Sequence, residues 1–174
     1  SKEKDIITIE NQYKIGEVYE KQQNYNEAFK AYSQVKNYSE DWDLIYLATF
    51  KTGEISYSLK NYPQGLQIFA LLLKEKRYFD GQAQIKLKLA EGYNLSGEQE
   101  KAIQTFQEIN TTYPKTEASA QAFYQLGLIY QDQKEDLKTA KEFYDKAKDE
   151  KPGSEVSKLA LQKSADISKL EEYQ

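Results

Sequence analysis

The residues whose types and spacing come nearest to acid–base chemistry are two close carboxylate pairs, Glu98 with Glu100 and Glu171 with Glu172. A carboxyl acts as a general acid near neutral pH only when burial or a like charge raises its pKa. Both pairs sit in polar segments where water keeps them ionised, so they read as solvated helix residues. The chain has no His, which removes the commonest general base and metal ligand. It has no Cys, which removes thiol nucleophiles and zinc-thiolate sites. Its 8 glycines are scattered, with no Gly-rich loop to cradle phosphate. The expectation is a protein that is no enzyme and uses no cofactor and no metal.

What chemistry remains is recognition. The formal net charge is −4 and the pI is about 5.1, so the basic stripe that a phosphate backbone needs is missing and nucleic acid is not an expected partner. No apolar run approaches the ~18 residues of a membrane span. The longest, Leu66–Leu73, is interrupted by Gln67 and reads as a buried helix face. No signal peptide is evident, and the absence of Met makes Ser1 an expected processed or internal start. A chain without Cys is compatible with reducing and oxidising compartments alike. The hydrophobic fraction of 39% is lower than an average globular chain, as in a thin repeat array, while 15 Tyr and 7 Phe argue against disorder.

The elements that would position a recognition surface show in the spacing of small residues. Gly16, Gly53, Ala90 and Gly127 recur every 37 residues. Twelve residues after the first three stand Ala28, Gly65 and Ala102, and Ala140 follows Gly127 with a displacement of one. Aromatics keep the same phase: Tyr32, Phe69 and Phe106, then Tyr144 displaced by one. Antiparallel helices approach to ~8–10 Å when small side chains meet at the crossing, and contact there offsets the ~0.5–1 kcal/mol that glycine costs inside a helix. The spacing therefore predicts helical hairpins, with the aromatic plugging the gap toward the next unit.

First helices of the hairpins are predicted at about 5–22, 41–60, 80–96 and 116–133, and second helices at about 25–38, 63–76, 98–111 and 136–150. Asn24, Asn61-Tyr62-Pro63, Ser96-Gly97 and Lys134-Glu135-Asp136 mark the turns, and Pro114 and Pro152 follow second helices. A ninth helix at 154–172 starts at the candidate N-cap Ser154. Its apolar positions are Leu159, Leu161, Ala165, Ile167 and Leu170, and its remaining polar surface suits a cap over the last hairpin.

These columns resemble the tetratricopeptide repeat. The fourth unit reads Gly127, Tyr130, Ala140, Tyr144, Ala147, Pro152, and the third reads Ala90, Tyr93, Ala102, Phe106, Pro114. The first has Gly16, Tyr19, Ala28 and Tyr32 with Glu40 at the Pro position, and the second departs at Ser56 and Arg77. The resemblance covers about residues 9–152. The stretch from Tyr113-Pro114-Lys115-Thr116 to Gly127 resembles the longer repeats of bacterial envelope proteins, the outer-membrane assembly lipoprotein and the Tol-Pal accessory protein among them. The resemblance implies an all-α, right-handed superhelix (α-solenoid) forming one domain over 1–174. Its repeats would span about 5–40, 41–79, 80–115 and 116–152, with first helices lining a concave groove that binds peptides or partner segments.

Residues three and four apart share a helix face, so the groove can be phased from the small residue. Glu17, Glu54, Glu91 and Leu128 follow it directly; Tyr13, Phe50, Leu87 and Tyr124 lie one turn earlier; Glu20, Tyr57, Asn94 and Gln131 lie one turn later. An apolar, mostly aromatic row beside carboxylates would favour a basic, apolar segment. The plainer alternative makes the glutamates solvated helix formers and the rings core. Some tetratricopeptide domains clamp acidic chaperone tails with cations; Glu17 and Glu54 at the matching surface argue against that ligand. Elsewhere, Trp42 is expected to pack under the preceding helix, Tyr25 and Tyr62 to staple hairpin corners, and Lys74, Lys76 and Arg77 to complement a helix C-terminus.

The expected function is a non-enzymatic scaffold, favoured as a monomer, that holds a protein or peptide segment. The alternative is a structural subunit self-associating through the N-terminal end, where Ile6, Ile7 and Ile9 lie. A bacterial periplasmic or envelope setting follows by analogy with the longer repeats, with the cytoplasm as the alternative.

Overall fold

The computed structural model describes residues 2–75, 77 and 81–172, without the side chains of 2–10 and 171. Nine helices follow one another among these residues. They are α1 (Lys2–Lys21), α2 (Tyr25–Tyr38), α3 (Trp42–Ser58), α4 (Tyr62–Lys74), α5 (Gln82–Leu95), α6 (Gln99–Thr112), α7 (Glu117–Asp132), α8 (Leu137–Glu150) and α9 (Glu155–Glu172). Two units divide them, Ser1–Glu98 holding α1 to α5 and Gln99–Gln174 holding α6 to α9.

Side-chain caps fix several helix starts. Asp41 Oδ1 accepts from the amides of Asp43 (2.9 Å) and Leu44 (3.3 Å), Thr116 Oγ1 from Ser119 (3.1 Å), and Asp136 Oδ1 from Thr139 (3.0 Å). Ser154 caps α9 as expected, its Oγ accepting from the Ser157 amide at 3.1 Å. Pro63 sits in the first turn of α4.

The hairpin turns repeat one backbone device. Gln23, Lys60 and Gly97 are all left-handed, with φ of 57°, 58° and 84°. The next amide returns to a carbonyl five residues back: Asn24 to Tyr19, Asn61 to Ser56 and Glu98 to Tyr93, each at 2.8 Å. This closes orphan carbonyls at the helix end. In the fourth hairpin Glu135 is the left-handed residue (φ 54°), and Asp136 bonds Tyr130 across one more residue. That added residue is why Ala140 and Tyr144 are displaced by one.

The small residues open holes for rings, which refines the predicted pairing of small residue with small residue. A Cβ at Gly16 would lie 2.6 Å from the Tyr32 ring, and one at Gly53 would lie 2.6 Å from the Phe69 ring. Gly127 stands in the same relation to Tyr144. Each aromatic thus packs on the glycine of its own hairpin. In the first unit Tyr32 also joins Ala28, Val35, Ala48 and Ile55 in a core shared with α3.

In the second unit the Glu150 carboxylate ties the loop before α7 to the end of α8. It accepts from the Lys115 amide and the Ser119 hydroxyl, both at 2.7 Å. Burial pushes this carboxyl up, but those hydrogen bonds and the Lys115 charge outweigh burial and hold it below its ordinary value.

Three expectations are corrected. Trp42 does not pack under a helix: it is the first residue of α3, 54% exposed, with the Arg77 guanidinium carbon 3.8 Å above its ring. Arg77 therefore stacks on Trp42 and pairs with Glu75 (3.1 Å), whereas Lys74 does end α4. On α9 the buried stripe is Val156, Ala160, Ser164 and Ile167, packed on α7 and α8, while Leu159, Leu161 and Leu170 are exposed. Lys76 and the side chains of Ile6, Ile7 and Ile9 lie outside the described residues.

Candidate functional site

In the first unit, α1, α3 and α5 carry the predicted surface residues, and ion pairs stitch these helices side by side. Glu20 on α1 accepts from Lys51 on α3 at 3.1 Å, and Lys51 also lies 3.8 Å from Glu54. Glu54 meets Lys88 of α5 at 3.1 Å, and Lys88 meets Glu91 at 3.0 Å. The five form an alternating chain, Glu20–Lys51–Glu54–Lys88–Glu91, whose side chains are 23–32% exposed. Burial alone would lower both ammonium groups. The hydrogen bond and charge of Glu20 at Lys51, and the charges of Glu91 and Glu54 at Lys88, outweigh it and raise them above 10.5.

Sequence reasoning missed these lysines. The signal was present, since Lys14, Lys51 and Lys88 keep the 37-residue period beside the aromatic column. Their effect is to neutralise much of the predicted acidic row. Glu17 is exposed and makes no ion pair among the described residues.

The aromatic row stands half inside the protein. Tyr13 meets Tyr32 edge-on with ring centroids 5.1 Å apart, and Phe50 meets Phe69 at 5.1 Å. Both are part-exposed. Leu87 departs from the expected row: it is 1% exposed and belongs to the core, because the shorter leucine does not reach from between the helices to the surface as the rings do. Tyr57 is half-buried against Gly65, Gly92 and Phe69, and its hydroxyl donates to the Lys88 carbonyl at 3.0 Å. It ties α3 to α5. Asn94 is part-exposed on α5.

A hydroxyl latch recurs on the first and fourth hairpins. Tyr32 Oη donates to Glu20 Oε2 at 2.8 Å in the first unit. Tyr144 Oη donates to Gln131 Oε1 at 2.8 Å in the second. Burial, then in turn the Glu20 hydrogen bond at Tyr32 and the Tyr124 and Asp132 charges at Tyr144, drive both phenols well above 10.0. On the same face of the second unit Tyr124 packs on Tyr144 at 5.6 Å, with Leu128 and Gln131 part-exposed beside it.

The residues brought together are thus Tyr13, Glu17, Glu20, Phe50, Glu54 and Glu91 in one unit, and Tyr124, Leu128 and Gln131 in the other. Among the described residues no cluster of acidic side chains could hold a metal ion, and no helix is long and apolar enough to cross a membrane. The arrangement offers part-exposed rings next to charge.

Tetratricopeptide-repeat models match residues 10–41, 84–116 and 120–153, together more than half of the chain. No curated protein sequence matches it. Solved structures do. Residues 41-end of MamA from Desulfovibrio magneticus RS-1 are 20% identical, covering 80% of this chain and 73% of that one, with a TM-score of 0.61. YrrB, described as a TPR protein with an unusual peptide-binding site, is 22% identical over 87% of this chain and 73% of its own, with a TM-score of 0.60. The nearly identical TPR-like repeats from Podosopora anserina are 11% identical over 96% and 88%, with a TM-score of 0.66. At these identities the likeness is one of fold, and the fold class is all-α, of the α-solenoid kind. Proteins of such repeats mediate protein–protein interaction, and the scaffold is generally non-catalytic. On its own repeats and on these matches, the chain belongs to the tetratricopeptide-repeat family.

Proposed function

We propose that this protein is a non-catalytic adaptor that holds a partner protein or peptide segment against its first-helix face. The first unit by itself offers Tyr13, Glu17, Glu20, Phe50, Glu54 and Glu91 for contact, and the second unit by itself offers Tyr124, Leu128 and Gln131. The observation that carries this reading is the pairing of part-exposed rings with the ion-pair chain around Lys51 and Lys88. A chain of charges holding α1, α3 and α5 in register presents rigid rings, which supply contact area at small entropic cost. The excess of carboxylate over lysine, with Glu17 in no ion pair among the described residues, favours a basic and apolar segment. YrrB's description as peptide-binding supports the same class of ligand. We place this activity in assembly work of a bacterial envelope on the resemblance of the junction 113–127.

The test is capture of partners from source-cell fractions by the wild type and by the triple variant Tyr13→Leu, Phe50→Leu, Tyr124→Leu, whose helicity is checked by circular dichroism. The account expects the specific partner to be lost from the folded variant. Equal capture by both proteins overturns it.

One observation favours self-association as a second activity. Ile15 and Val18 on α1 are 41% and 54% exposed. Paired copies would bury them. Light scattering should then show a mass that grows with concentration and reverts in Ile15→Lys, Val18→Lys. A clean monomer at high concentration removes this reading.

A further inference from the structure

We propose a second docking site, independent of the first-helix face, that takes an acidic peptide segment carrying one or two bulky apolar side chains. It is a cleft of about 770 Å³ in the first unit, walled by α2 and α4, which both pack on α3. That volume falls inside the roughly 300–1,000 Å³ of ligand sites. Phe29, Trp42, Ile45, Ile68 and Leu71 give it an apolar lining. Trp42 and Leu71 remain 54% and 57% exposed, large apolar groups of the kind that anchor partners. The α3 residues on this side, Ile45, Thr49 and Thr52, are centred about 140° around the helix from Phe50, Glu54 and Tyr57 at about 100° per residue.

Charge identifies the occupant. Lys36 and Lys74 line the cleft in the last turns of α2 and α4. Neither makes an ion pair among the described residues. Each helix C-terminus offsets about half a charge, which leaves the pair net positive. The carboxylate of the lining, Glu75, is taken by Arg77 at 3.1 Å. Arg77 in turn covers the Trp42 ring. In a chain of net charge −4 this is a basic rim around an apolar floor. A partner carboxylate pairs with the lysines while its apolar side chain enters beside Trp42 and Leu71.

Trp42 is the sole tryptophan, so its emission reads the cleft directly. The probe is a synthetic twelve-residue peptide of Asp and Glu with Phe at two positions four apart, titrated into the full chain. The expected result is a saturable shift of Trp42 emission, suppressed in about 0.5 M salt. In Lys36→Glu, Lys74→Glu, whose exposed positions leave the helices intact by circular dichroism, binding should weaken about a hundredfold. No shift with the folded protein overturns the proposal. So does equal binding of a peptide with Lys in place of the acids, or undiminished binding by the reversed variant. Emission that moves with protein concentration alone also overturns it, because a second copy then covers the cleft.

Discussion

Lys51 on α3 lies 3.1 Å from Glu20 on α1, and that carboxylate also holds the Tyr32 hydroxyl at 2.8 Å. One glutamate thus joins two hairpins and latches a core ring. The pair is about one-third exposed, so water screens it and its pairwise worth is no more than about 0.5–1 kcal/mol. Glu20→Gln keeps a hydrogen-bond acceptor and should cost about that much in chemical denaturation. Glu20→Leu removes both bonds and should cost more, with the difference measuring the latch.

Alkaline pH should loosen the first unit. Lys51 and Lys88 are raised above 10.5, and Tyr32 and Tyr57 above 10.0, Tyr57 by burial and then by the Glu91 and Tyr93 charges. For groups raised in the folded state, the stabilisation is complete below the unfolded pKa and is lost as pH climbs through the folded one. Stability should hold from neutrality to about pH 10 and then fall, with the share of tyrosinate absorbance that is lost in Tyr32→Phe and Tyr57→Phe rising together with loss of helicity. A tyrosinate signal at pH 10 in the still-folded chain that disappears in Tyr32→Phe or Tyr57→Phe would contradict the packing of these rings.

Acid should act on the second unit through Glu150. Its carboxyl is held below 4.5, so its contribution is present above that pH and lost as pH falls through the depressed value. Glu150→Ala strands the buried Ser119 hydroxyl and the Lys115 amide and should cost about 1–3 kcal/mol at neutral pH. The same variant should flatten the acid limb of the stability curve.

The glycine holes are tested by filling one. Gly16→Ala places a methyl 2.6 Å from a Tyr32 ring that is buried and latched, so about 1–3 kcal/mol should be lost. Adding Tyr32→Leu should recover part of that loss, and a double-mutant cycle reads the coupling.

The turns offer a gain. Lys60 holds φ 58° without glycine's freedom, so Lys60→Gly should raise stability by up to about 1 kcal/mol. Gly97→Ala, at φ 84°, should lower it by a similar amount.

Most of the helical frame was legible in the sequence because close packing leaves a periodic mark. Gly16, Gly53 and Gly127 must be small where a ring lands, and the caps and turns follow local chemistry that a short window contains. Lateral contacts were harder to read. Lys51 and Lys88 stood in phase, yet their partners are 31 and 34 residues away on neighbouring helices. Leu87 shares a column with Tyr13 and Phe50 but not their reach. The α9 leucines were misassigned because its apolar positions were taken without a helix phase, and the extra turn residue near Glu135 shifts that phase by one. Ala160, Ser164 and Ile167 lie 38 residues after the buried Ala122, Leu126 and Ile129, so the stripe slides past Leu159 and Leu161. Trp42 gave no signal of exposure, since the Arg77 guanidinium that stacks on its ring lies 35 residues along the chain.

The most direct test of the adaptor reading is selection of peptides from a random displayed library on the full chain, with affinities remeasured on Glu17→Lys, Tyr13→Leu. The account predicts a class of peptides rich in Lys or Arg beside aromatic or branched apolar residues, binding at least about tenfold more weakly to the variant. A selection that yields no such basic class, or basic peptides that bind the folded variant as tightly as the wild type, would contradict it.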